Sequence, residues 1–173
     1  VDYNTYMELF SQFTDHLNAH WDTAVDAEKF RWPFFTFTWH HHWYTHFGAH
    51  EQLVIMKDQE THVILPLSIN NQTAHFTGGE EIADYLDAIG QDSHKAAAWQ
   101  SALPLLKQHG AVRLLLRNIP GSSPTVEFFK NVAGAEISEE DTTPTLVLPG
   151  SFDEYLTTLT RKDRHELRRK VKK

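Results

Sequence analysis

Cysteine is absent from this chain of 173 residues. Disulfides and thiolate metal sites are therefore excluded, and a reducing compartment, the cytoplasm, is expected. Long apolar runs are absent too. The longest, such as Val63-Ile64-Leu65-Pro66-Leu67, fall far short of the roughly 20 residues that a bilayer-spanning helix needs, so no transmembrane segment is expected. Val1-Asp2-Tyr3-Asn4 opens neither a basic leader nor an apolar stretch, so no signal peptide is expected. The chain starts without Met and ends inside a helical pattern with no stop signal, and we expect it to be a fragment of a longer protein.

Basic residues are scarce everywhere except at the end. Residues 161–173 hold eight of the sixteen Lys and Arg with only Asp163 and Glu166 as acids, so that segment carries +6. The other 160 residues set eight basic against twenty-one acidic side chains, a charge of −13 within the overall −7. Such separation points to an anionic partner for the tail or an acidic surface beneath it; the plainer alternative is a solvated helix face. Apolar residues at 40 % and charged residues at 23 % are an ordinary globular balance, enough for one domain with a real core.

Thr5-Tyr6-Met7-Glu8 has the form of a capping box, and Met7, Phe10, Phe13, Leu17 and Trp21 recur behind it at helical spacing. A short helical stretch is expected over 22–29. Pro33 biases Trp32 toward extended geometry. From Thr36 a helix stopped by Gly48 would place Trp39, Trp43 and Phe47 on one face. Residues 53–56 and 62–69 read as strands around a turn at Lys57-Asp58-Gln59-Glu60, and 74–77 completes an antiparallel meander. A short helix over 82–89 is expected next, then a helix over 94–109 with Ala97, Leu103 and Leu106 inward and Gly110 as its stop. Residues 112–116 read as a strand buried on both faces. Ser123-Pro124 opens a helix through Val132. Strands follow at 135–138 and 145–148, then a capped helix from Ser151-Phe152-Asp153-Glu154 whose buried face is Phe152, Tyr155, Leu156 and Leu159. Thr160-Arg161-Lys162-Asp163 resembles another cap, where that helix breaks or bends. The expected fold class is α/β in the α+β sense, a mixed and largely antiparallel central sheet flanked by helices and ending in a long basic helix. Its expected division is a domain over 1–150 and a terminal helix over 151–173.

Chemistry-bearing patterns are few. His40, His41, His42, His46 and His50 cluster, and His42 and His46 lie one helical turn apart, but Gly48 intervenes before His50 and the HExxH motif is absent. These histidines read as polar positions between core tryptophans, and no metal is expected. Gly121-Ser122-Ser123-Pro124 is a loop and cap, not a nucleophile elbow, and neither GxGxxG nor a Walker A pattern occurs. The catalytic residues are not readable. Gly78-Gly79 permits a close backbone approach, with Asp84, Tyr85 and Asp87 nearby as acceptors and an aromatic face. Alternatively Asp84 caps a helix while Tyr85 and Leu86 pack.

Several segments together carry a resemblance. They are Pro33-Phe34-Phe35 leading to Trp39, Trp43 and His46-Phe47-Gly48; Leu65-Pro66-Leu67; Gly78-Gly79 with Ala83-Asp84-Tyr85-Leu86-Asp87; and Ser151-Phe152-Asp153-Glu154-Tyr155-Leu156 ending in Arg164-His165-Glu166-Leu167-Arg168-Arg169-Lys170. In this order they resemble the GNAT-like acyltransferases that include CelD-type cellulose-biosynthesis proteins and are related to FemAB peptidoglycan aminoacyltransferases. The resemblance implies the N-terminal, acceptor-side half of an N-acyltransferase built from two tandem GNAT folds, with the second half as partner. It implies an acceptor that is a small molecule or cell-envelope precursor. The Gln/Arg-x-x-Gly-x-Gly/Ala loop of GNAT enzymes is missing, so no cofactor is expected in this chain, and acyl-coenzyme A or another activated acyl donor would bind elsewhere in the full protein. The substrate-binding candidates are Gly79, Asp84, Tyr85 and Asp87, with Arg164 and Arg168 as anion contacts. The alternative is a non-catalytic docking module that uses its aromatic-rich face or its basic terminal helix. Nucleic acid is not an expected partner, because the body is acidic and no known nucleic-acid motif occurs.

Overall fold

A computed structural model describes residues 7–144 and 146–171. The chain divides into two compact units, Val1–Glu139 and Glu140–Lys173, with residues 140–150 grouping with the terminal helices. The first unit contains β1 (Met7–Phe10), α1 (Asp15–Asp26), α2 (Phe37–Trp43), β2 (Gln52–Asp58), β3 (Ile64–Asn70), β4 (Thr73–Phe76), α3 (Asp92–Gln108), β5 (Arg113–Leu114) and α4 (Pro124–Lys130). The second holds α5 (Phe152–Thr158) and α6 (Arg161–Val171). The fold is α+β. Its five-stranded sheet runs in the order β1-β2-β3-β4-β5, antiparallel except for the parallel β4–β5 pair, an arrangement consistent with a GNAT-like domain. Among the described residues no helix is long and apolar enough to cross a membrane.

The alternation of the central strands buries two faces. Val54, Met56, Leu65 and Leu67 pack with Ala98, Trp99 and Leu105 of α3. On the other face Leu53, Ile55 and Ile64 pack with Leu17, Trp21 and Ala24 of α1 and with Phe35. Pro66 sits inside the most buried strand, where a missing amide is usually costly. Its carbonyl accepts from the Thr77 amide at 2.8 Å. The absent amide would point to that same side, just past the last residue of β4, so the proline touches only the end of the β3–β4 ladder.

The first expected helix is a correction. Met7–Phe10 pairs with β2, and Glu8 binds Lys57 at 2.9 Å across that pair instead of capping a helix. The helix starts after Thr14, whose hydroxyl accepts from the Leu17 amide, and it continues to Asp26; Thr5 lies outside the described residues. The helix expected from Thr36 forms as α2, capped by the Thr36 hydroxyl, and it widens over Tyr44–Gly48 before it stops. The turn after β2 is built by Asp58, whose Oδ1 accepts from the amides of Glu60 and Thr61.

Residues 82–89 form no helix. They belong to a strap between β4 and α3 whose polar groups are bound from outside: Asn118 Nδ2 donates to the carbonyls of Glu80 and Ala83, the Leu86 amide donates to Asn118 O, and Ile89 exchanges two backbone bonds with Ile64. Helix α3 turns a different face inward from the one its spacing suggested, burying Lys95, Ala98, Trp99, Ala102, Leu105 and Leu106, whereas Ala97 is exposed. The strand expected at 112–116 shrinks to Arg113–Leu114, and Val112 is 80 % exposed because β5 is the edge. No strand forms over 135–138 or 146–148, where Ile137, Leu146, Val147 and Leu148 are exposed; Thr145 lies outside the described residues. No neighbouring strand satisfies their backbone.

Ser123 caps α4 and Ser151 caps α5 as expected. Phe152 is half-exposed, whereas Leu156 is buried. The chain breaks at Leu159, and Thr160 restarts it by accepting from the Asp163 amide. No described residue of α6 is buried.

One buried ionic knot ties the first unit together. Lys95 Nζ meets Glu28 Oε1 at 3.0 Å and Asp87 Oδ2 at 3.1 Å, all three side chains being nearly inaccessible. Asp92 adds an exposed third acid at 3.1 Å. Asp87 also accepts from Ser123 Oγ and the Ala88 amide, and Glu28 from the Gly90 amide. Burial works against the Lys95 charge, but Asp87 and Glu28 overcome it and hold its pKa above the ordinary value. Burial raises the Glu28 carboxyl despite Lys95. Lys95→Met should cost about 3–5 kcal/mol in urea unfolding, because it strands two buried carboxylates. Lys130→Met, which breaks the exposed Lys130–Glu127 pair, should cost about 0–1 kcal/mol. Equal losses for the two variants would refute the knot as a structural centre.

Candidate functional site

The first unit contains an open pocket of about 410 Å³ beside β4. That size lies within the range typical of small-molecule sites. Its apolar walls are Trp43, Phe47, Phe76, Ile82 and Leu115. Thr73, His75, Gly79, Glu80 and Glu81 supply its polar groups.

Gly78 and Gly79 shape one wall. Both take left-handed conformations, with φ of 101° and 80°. A Cβ on Gly79 would lie 2.3 Å from Trp43 Nε1, and one on Gly78 would lie 3.1 Å from the His40 ring. The glycine pair thus admits indole and imidazole rings rather than leaving an empty cradle. Trp39 Nε1 donates to Gly78 O at 2.8 Å and fixes the bend. Trp21, Trp39 and Trp99 each donate through Nε1 to a protein acceptor; Trp43 Nε1 makes no such bond among the described residues.

His40 lies fully buried under this bend, its Nδ1 2.7 Å from Thr77 Oγ1. Its Nε2 makes no well-formed hydrogen bond, although the Phe34 backbone is a polar neighbour. Burial drives its pKa down to about 3, so the ring is neutral.

His75 is the imidazole of the pocket wall. It stands opposite Ser68 on neighbouring strands. Its Nδ1 lies 3.0 Å from the Phe76 carbonyl and must carry a proton, since a carbonyl can only accept. Its Nε2 lies 3.1 Å from Glu51 Oε2. Ser68 donates to the same oxygen at 2.5 Å, and Asn70 donates to Glu51 Oε1. Tyr44 holds the Glu51 backbone through its carbonyl at 2.7 Å. Ser68 is fully buried with its proton committed to Glu51, so it is no nucleophile. The pocket can therefore hold an apolar body against its walls with Thr73, His75, Glu80 and Glu81 beside it.

Of the six residues singled out from the sequence, Gly79 lines this pocket. Asp84 is exposed on the strap, and Tyr85 stacks on Trp32 with ring centres 4.5 Å apart. Asp87 is in the Lys95 knot. Arg164 closes the end of α5 by donating to the carbonyls of Leu159 and Thr157, at 3.0 and 3.5 Å. Arg168 shares a shallow basic depression with Arg161, Lys162, Arg164 and His165 on α6. The His42 and His46 rings are stacked 6.3 Å apart, and no group of three His, Cys, Asp or Glu among the described residues could hold a metal. Sequence reasoning missed His75 and Glu51. The available signal was His75 between buried Ala74 and Phe76 in an alternating strand, which puts it on the opposite face. No family model, curated protein or solved structure matches this chain.

The neutral, buried His40 carries a pH signature. Unfolded chains bind a proton at this residue below about pH 6.5 while the native state refuses it until about pH 3, so its contribution to stability is complete above pH 6.5 and lost as pH falls. Between pH 6.5 and 4.5 the native protein should lose about 2–3 kcal/mol more than a His40→Gln variant in urea unfolding. Parallel pH curves for the two proteins would exclude this origin.

Proposed function

We propose that this chain is the N-terminal, acceptor-side half of a GNAT-like N-acyltransferase of the cytoplasm, and that the pocket over β4 is its acceptor cleft. The observation that carries this reading is a pocket of small-molecule size whose apolar walls stand beside the polar side chains of Thr73, His75, Glu80 and Glu81. In direct transfer the amine nitrogen attacks the acyl carbon, an N–C bond forms as the bond to the leaving thiolate breaks, and the nitrogen proton passes to a base. The base is not His75, whose two ring nitrogens are already engaged by the Phe76 carbonyl and by Glu51; the carboxylates that line the pocket are Glu80 and Glu81. The oxyanion donors and the acyl-donor site belong to the partner half. The mixed sheet and the resemblance of the strap and terminal helix support it. The acceptor is a small molecule or cell-envelope precursor bearing an amine, and the donor an acyl-coenzyme A or another activated acyl group.

A second reading rests on α6, where Arg161, Arg164, His165 and Arg168 share one side and line the basic depression. On this reading the unit is a non-catalytic module that docks on an anionic partner. Acetyl-coenzyme A separates the two. Titrated calorimetrically into this chain it should give no saturable heat, and a micromolar site here would contradict the division of labour. The natural gene product carrying these residues should release free thiol from acetyl-coenzyme A when supplied with a panel of amines. Failure with every amine would remove the acyltransferase reading and leave the docking module.

A further inference from the structure

We propose that the β4 pocket selects a primary ammonium carried on an apolar or aromatic body, held with its charge at the Glu80–Glu81 rim. This deepens the acceptor-cleft reading and rests on it only for what happens after binding. Two carboxylates line the pocket and no lysine or arginine does. His75 adds no net positive charge, because Glu51 lies 3.1 Å behind it. Arg117 engages Glu80 at 3.5 Å from outside the lining, so Glu81, which is exposed, is the stronger anchor.

Charge complementarity therefore chooses the occupant. An anionic ligand would meet Glu80 and Glu81 at the rim, and a neutral hydrocarbon would use the walls but not the carboxylates. An ammonium group can use both, and Trp43 and Phe47 offer ring faces that attract a cation. Ile82 and Leu115 add to the apolar wall. The indole N–H of Trp43, which has no protein acceptor among the described residues, reports from inside the wall.

Three probes of one shape test this on the full chain: 2-phenylethylammonium, 2-phenylethanol and 3-phenylpropanoate, each titrated at low salt while the Trp43 indole resonance is followed. The ammonium should shift that resonance saturably, bind about tenfold more tightly than the alcohol, and leave the carboxylate without measurable binding. Glu81→Gln, an exposed change that leaves the core untouched, should erase most of the preference. Glu80→Gln should weaken it less, because Arg117 already shares that charge. Equal binding of amine and alcohol, an unchanged preference in Glu81→Gln, or no binding of any probe at millimolar concentration would each overturn the proposal. So would saturable shifts confined to residues away from the pocket. Binding as described without thiol release by the natural gene product would sink acyl transfer alone. Thiol release with amines that ignore Glu81 would sink this inference alone.

Discussion

The ammonium of Lys95 is the constraint on which the first unit depends. It is drawn into the interior from α3 and finds Asp87 from the strap and Glu28 from the segment after α1. Three pieces of chain distant in sequence are thereby fixed at one point, and Ser123 adds the start of α4 through Asp87. Removing these charges from water is costly, and only close pairing and the extra amide donors offset it. The knot specifies where the strap must lie more than it adds net stability.

The strap is in turn what makes the pocket. One end is held by the knot and by the Ile89 pairing with Ile64 of β3; the other turns through Gly78 and Gly79 against Trp39, Trp43 and His40. Asn118 holds the middle. Residues 79–82 are consequently presented over β4 without any helix of their own. The pocket needs rigid walls to set a charge against an apolar surface, and here the rigidity comes from buried rings and ions at both ends of an irregular segment.

Much of this was legible in the sequence, and the reasons are local. The caps at Ser123, Ser151 and Thr160 depend on a side chain and amides two or three residues away. The meander of β2, β3 and β4 follows from alternation and turn residues. What failed was non-local. Met7 and Phe10 fit a helical period, but β2 offered them a ladder. Residues 82–89 fit a helix start, but their hydrogen bonds were already answered by Asn118 and Ile64. Nothing local marks Lys95, because its partners lie at 28 and 87. Asp87 was noticed as a ligand candidate for the same reason in reverse: its chemistry was visible and its partner was not. His75 and Glu51 escaped because 24 positions separate them, and only the pairing of β3 with β4 beneath the turn after α2 brings them together.

The unpaired run Leu146-Val147-Leu148 bears on how the protein behaves in solution. Three apolar residues in an extended, exposed stretch are a template for strand addition by another molecule. Pro144 and Pro149 stand at its two sides, and neither can donate an amide to a growing ladder. The two prolines act as gatekeepers that confine any such pairing to the few residues between them, too short for a durable fibril seed.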